Sequence, residues 1–334
     1  MCSARTWILC VMSLGGLIVT VALSAAQTSS PARLLVLLRD ASALAIVDPV
    51  SRKELGRVPT VKDPHEVTVS ADGSTAFVAS PSEGIAVIDL AAQKELRRVN
   101  PGDRSAPHDV LFADGKLYFT AEGFKSIGRY DPAANRIEWM LGVGQDGTHM
   151  LVLSKDRNTM YVPNRGSNSV SVLEAVSTGP PKWRVSAIPV PGKTPEGIDL
   201  SPDGRELWTA TRGDGGVSII DVASRKVTQT LSLGLSDANR LKLSPDGRFA
   251  LILDGGTGTL VVVDAPSRKE VKRIKLAPGD TGDGGMMVMR DSSRVYLGLR
   301  DAHKVSVVDL KTLEVSGEIA MGPGSGPGCI AWVY

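Results

Sequence analysis

Cysteine, histidine, aromatics and net charge are all scarce in this chain. It has three cysteines, and Cys2 and Cys10 lie in the first 26 residues, so removal of that segment leaves only Cys329 and no internal disulfide. Aromatic residues make up 4% of the composition, so the fold must be packed through Val, Leu and Ile. Lys and Arg (38) nearly balance Asp and Glu (36), and no basic run is present, which argues against a nucleic-acid partner. Stretches of helical period never exceed a couple of turns, and no GxSxG elbow, HExxH pair or Walker motif occurs. Gly142 to Gly147 matches GxGxxG but precedes a predicted strand and opens no helix, so it does not read as a dinucleotide site.

Turn residues, by contrast, are plentiful and periodic: 35 glycines and 20 prolines. From Pro64 to Val99 the chain runs through four short apolar stretches, HEVTV, TAFVA, IAVID and ELRRV, separated by Asp-Gly, Pro-Ser-Glu-Gly and Asp-initiated links. That pattern predicts a four-stranded antiparallel meander. Such a unit cannot bury both faces alone, so it must recur. The first-turn aspartate returns at Asp72, Asp114, Asp156, Asp203, Asp246 and Asp291, spaced by 42, 42, 47, 43 and 45 residues. A second aspartate closes the third strand at Asp48, Asp89, Asp131, Asp221, Asp264 and Asp309, with Glu174 substituting once. Four strands per period of about 40 to 50 residues indicate an all-β fold, a β-propeller.

The blade count follows from the two ends. RLLVLL, ALAIVD and KELGRV supply second, third and fourth strands without a first, and Gly326 to Tyr334 supplies a first strand with nothing after it. Seven blades are predicted, six continuous and one closed by the C-terminal strand, over residues 33–334 as a single domain. Residues 1–26 carry one charge, Arg5, an apolar run from Trp7 to Ala22, and Ser24-Ala25-Ala26 as a cleavage region. They read as a secretory signal peptide, with an uncleaved anchor as the alternative, and residues 27–32 as a short linker. This implies a periplasmic or secreted protein with no membrane span after cleavage.

YVPNRGSNSVSVLE (Tyr161 to Glu174), with the recurring SPDG and VxVxD patterns, resembles the YVTN-type β-propeller repeat. The resemblance implies a seven-bladed, exported propeller and no single activity.

Two polar sets fall at the same predicted end of the ring. Seven positions before the turn aspartate stand His65, His149, Glu196, Asn239 and Gly284; His108 joins them from a shorter turn, and Gly328 from the closing strand. Three of the protein's four histidines therefore open consecutive inner strands, followed by Glu196. His65, His108, His149 and Glu196 are suitable ligands for Zn, Cu or Fe, and an open coordination position would allow hydrolysis or oxidation. A permissive, wet channel mouth is the plain alternative. Nine positions after the turn aspartate stand Arg165, Arg212 and Arg300, with Arg39 equivalent in the closing blade. With Asn239 they form a candidate face for a small anionic ligand, or they tie blades together through Asp40, Asp214 or Asp301. His303 is expected in a solvent-facing loop, Asp280 and Asp283 in a flexible loop that is a weak calcium candidate, and Cys329 as a buried small hydrophobe. The reading is of a module that binds a ligand, metal ion or periplasmic protein partner at this mouth, with a metal-dependent enzyme and an envelope scaffold as alternatives.

Overall fold

A computed structural model describes residues 32–176, 183–279, 281 and 283–334. The predicted signal segment, the loop from Ser177 and Asp280 lie outside the described residues. The described chain forms seven four-stranded antiparallel sheets. Blade 1 is Glu66–Val69, Thr75–Ser80, Gly84–Asp89 and Lys94–Val99, and blades 2 to 6 repeat this order. Blade 7 joins Pro327–Val333 to Arg33–Leu38, Ala43–Val47 and Glu54–Pro59. Val36 pairs with Ile330 and Leu34 with Trp332, so the stitched blade predicted from the two ends is present.

Turn chemistry explains why the two aspartates recur. Asp72 accepts from the Ser74 amide (3.1 Å) and the Ser70 hydroxyl, and Asp156, Asp203 and Asp246 repeat this arrangement one blade after another. The residue after each turn aspartate sits at positive φ, +70° for Gly73, and Arg157 and Ser292 adopt the same conformation without being glycine. The third-strand aspartates cap the next link in the same way: Asp48 accepts from Val50 N and Asp309 from Lys311 N. Glu174 does not, and instead pairs with Arg184 and Arg225.

The core is distributed. Seven apolar clusters each lie between two adjacent blades, for example Leu35, Leu37, Leu44 and Ile46 of blade 7 against Val67, Val78 and Ile88 of blade 1. Second and third strands are therefore buried on both faces and read as near-continuous apolar runs, whereas fourth strands are largely exposed. The inner strand of each blade has a free edge toward the axis. Neighbouring side chains satisfy part of it: Asp109 accepts from Leu151 N (2.7 Å) and Asp199 from Leu243 N (2.9 Å). Burial, aided by the charge of Glu66, pushes the Asp109 carboxyl up to about 7.

Candidate functional site

Inner strands run outward-in from one mouth of the channel, and their first residues ring it. In blades 2, 4 and 5 the ladder slips between Pro107 and Val110, Pro195 and Ile198, and Ala238 and Arg240. These β-bulges contain His108, Glu196 and Asn239, and re-aiming side chains is what bulges do.

The three imidazoles form one contiguous row. Asp63 Oδ2 lies 3.0 Å from His65 Nε2, His65 Nδ1 lies 2.7 Å from His108 Nε2, and the rings of His108 and His149 are 3.7 Å apart. Arg39 Nη2, which pairs with Asp63 at 2.9 Å, also lies 2.9 Å from His65 Nε2, so the same ring nitrogen faces a donor-only guanidinium and an acceptor carboxylate, which call for opposite tautomers. His65 Nδ1 and His108 Nε2 share one proton across 2.7 Å, and His108 Nδ1 is buried with no hydrogen-bond partner. Burial, with the positive field of Arg39, lowers the pKa of His65, and burial drives that of His108 well below the ordinary imidazole value. Both are neutral at pH 7.

His149 differs from its two neighbours. Its Nε2 is 3.6 Å from Glu196 Oε1 and its Nδ1 is 3.7 Å from Glu122 Oε2. Burial opposes its protonation, but the two carboxylates outweigh burial and raise its pKa. Glu196, 4% exposed, is held down to about 2: burial would raise it, and His149, Arg240 and Arg212 prevail. The sign of the linkage follows. The stabilisation from Glu196 is complete above its ordinary carboxylate pKa and is lost as the pH falls toward 2. Acid titration of unfolding should therefore show wild type losing more stability between pH 4.5 and 2 than Glu196→Gln does; parallel curves would contradict this pairing.

Of the four predicted arginines, three reach this mouth. Arg212 bonds Asp237 (2.6 Å) and Asp283 (2.7 Å) and lies 3.5 Å from Glu196; Arg39 pairs with Asp63 and Asp283 (3.2 Å). Arg165 is held loosely, 3.7 Å from Glu196 and 3.4 Å from His149 Nε2. Arg300 ties blade 6 to blade 7 through Asp40 (2.6 Å) and touches none of the imidazoles among the described residues. Asp214 accepts from the Lys193 amide instead of pairing with Arg212. Asn239 is buried beside the others. His303 is partly buried at a left-handed position and stands apart from the row, and Cys329 is buried, its thiol pKa raised by burial and by Glu66.

Sequence reasoning missed Glu122, Glu66 and Arg240. Glu122 lies on a one-turn 3₁₀ segment after the second strand of blade 2, outside either aligned set. Glu66 and Arg240 are the residues immediately following His65 and Asn239. Their ion pair (2.7 Å) crosses the channel from blade 1 to blade 5 directly beneath the row.

The charge balance is the second surprise. Arg39, Arg165 and Arg212 face Asp63, Glu122, Glu196, Asp237 and Asp283, so carboxylates outnumber guanidinium groups and the mouth favours a cation over the anion that an arginine-lined face suggested. As they stand, no three His, Cys, Asp or Glu side chains among the described residues converge tightly enough to hold a metal ion. The donors are nevertheless suited to one. The 3.6 Å from His149 Nε2 to Glu196 exceeds hydrogen-bond length and is near the roughly 3.3 to 3.5 Å between two donors on one tetrahedral ion with bonds of about 2.0 to 2.2 Å, whereas Glu122 faces the other nitrogen of the ring.

Comparison with known proteins bears on the fold. A family model described as a YNCE-like beta-propeller matches residues 81–244. No curated protein matches the sequence. Among solved structures, a hydrazine synthase chain of Kuenenia stuttgartiensis is similar at 16% identity and a TM-score of 0.69, covering 86% of this chain and 98% of that one. A functionally unassigned protein of Desulfotomaculum acetoxidans aligns at 13% identity, TM-score 0.70, with 90% and 99% covered. Apo AztD of Citrobacter koseri aligns at 14% identity, TM-score 0.69, with 90% and 97% covered. Likenesses at this identity establish a shared β-propeller architecture.

Proposed function

We propose that this protein is an exported propeller of the YVTN type that binds one divalent transition metal ion (Zn, Cu or Fe) at the imidazole mouth, without turnover. The observation that carries this reading is the buried, unpartnered Nδ1 of His108 in a row that continues through His149 to Glu196, in a mouth with surplus negative charge. His149, Glu196 and His108 are between 1% and 5% exposed, so the seat suits an ion better than an organic molecule. His108 Nδ1, His149 Nε2 and Glu196 would hold the ion in this account, and Glu122, on the Nδ1 side of the His149 ring, would orient that ring from behind. His65 is not a ligand here: it holds His108 through the ring nitrogen that faces away from the metal, and Asp63 in turn holds His65, the usual outer support of a metal-bound histidine. In the hydrolytic or oxidative alternative the arginines would orient an anionic substrate beside the ion; Arg39 and Arg212 are already paired with acids, which favours binding. The apolar stretch and small-residue cleavage region of residues 1–26 support export.

Elemental analysis of the protein, purified without chelator or histidine tag, tests the assignment. About one equivalent of metal is expected in the wild type and none in a folded His108→Ala/His149→Ala variant. His65→Ala should still bind, but roughly 10 to 100 times more weakly. No metal in the wild type after reconstitution, or equal metal in the double variant, would rule the site out.

A further inference from the structure

The opposite mouth of the channel has a different chemistry. There the inner strands end, and a cavity of about 380 Å³ opens among Phe112, Arg157, Arg290, Trp332 and Tyr334. That volume lies within the range of small-molecule sites. Three aromatic side chains line it, Phe112, Trp332 and Tyr334; Trp332 lies 5.9 Å from Tyr334, which is 51% exposed, and rests on Tyr296 at 5.7 Å. The Arg290 guanidinium stacks on the Tyr334 ring at 3.8 Å. Among the described residues it forms no ion pair, whereas Arg157 is neutralised by Asp114 at 2.6 Å. Asp114, the acidic side chain among the described residues of the wall, is taken up by Arg157, which leaves the Arg290 guanidinium without a side-chain ion pair.

A guanidinium laid flat on an aromatic face is held in orientation and presents its N–H edge to a planar acceptor, the bidentate geometry that carboxylates match. The aromatic and aliphatic side chains beside it, Phe112, Trp332 and Val69, offer an apolar seat for a flat ring. We infer that this mouth is a second binding site, independent of the imidazole mouth, for a planar aromatic carboxylate.

Isothermal titration of the full chain with 2-naphthoate at low ionic strength tests it. Saturable binding of one equivalent is expected, weakened about tenfold or more in Arg290→Ala and incompletely restored in Arg290→Lys, which lacks the fork. Cyclohexanecarboxylate, with the charge but not the flat ring, should bind at least about tenfold more weakly. The His108→Ala/His149→Ala variant should bind naphthoate as wild type does, which separates this site from the metal proposal. Absence of saturation at millimolar naphthoate, undiminished affinity in Arg290→Ala, or loss of binding in the His108/His149 variant would each overturn the inference.

Discussion

Deleting Ile330 to Tyr334 is expected to abolish cooperative folding of the whole ring, not to fray one blade. Those residues contribute the pairings of Arg33, Leu34, Leu35 and Val36 to the closing strand. Ile330 packs in the cluster between blades 6 and 7 and Val333 in the cluster between blades 7 and 1, so the deletion opens both faces of blade 7 at once. Burial of Ile330 and Val333 at about 1.5 to 3 kcal/mol each removes roughly 3 to 6 kcal/mol, to which the half-buried Trp332 adds, a large part of the stability of an ordinary domain. Disulfide closure cannot compensate, since Cys329 is the one described cysteine and is free. Thermal unfolding followed by circular dichroism is the check: a truncated chain melting within a few degrees of wild type would show that the ring does not depend on this closure.

Glu66→Gln is expected to produce the largest loss of stability from a single substitution in the channel. Arg240 donates to Glu66 Oε1, to the Gly284 carbonyl (2.7 Å), and toward Met150 Sδ, and its side chain is only 13% exposed. Removing the carboxylate strands a guanidinium that cannot shed its charge, because Arg stays protonated. Breaking a buried pair in this way costs about 3 to 5 kcal/mol, whereas replacing both partners by apolar residues of similar size is often neutral or better. Urea unfolding should therefore place Glu66→Gln about 3 to 5 kcal/mol below wild type, and Glu66→Leu/Arg240→Met well above the single variant. A single variant within about 1 kcal/mol of wild type would mean that water or a rearranged partner reaches Arg240.

The repeat was legible in sequence because turns are local chemistry. An aspartate that accepts from the amide two residues on, and a following residue that must adopt positive φ, leave the same mark in every blade, and the spacing of Asp72 to Asp291 counts the blades directly. The closing strand was legible for a similar reason: an unpaired first strand at one end and a missing one at the other can be matched by register alone.

The mouth was legible only as a set of positions. Alignment to the turn aspartate brought His65, His108, His149 and Glu196 to one level of the ring, and the structure places them in contact. It did not show the bulges around His108, Glu196 and Asn239, since an extra residue in one strand leaves no compositional mark. Glu122 was invisible because its side chain arrives from an irregular 3₁₀ segment, at no fixed offset from the repeat. The arginines were the misleading signal: equal offsets placed Arg39, Arg165, Arg212 and Arg300 together, but Asp63, Asp237 and Asp283 come from the links entering other blades, and their carboxylates reverse the sign of the mouth.

By itself, then, the sequence determined the seven-bladed architecture, the stitched closure and the level at which the histidines stand, all of which follow from local turns and alternation. Which groups meet across the axis, which imidazole nitrogen is left without a partner, and whether the mouth attracts a cation or an anion were decided only by the tertiary structure. Burial and charge at one point sum over residues from every blade, and no local pattern in the chain records that sum.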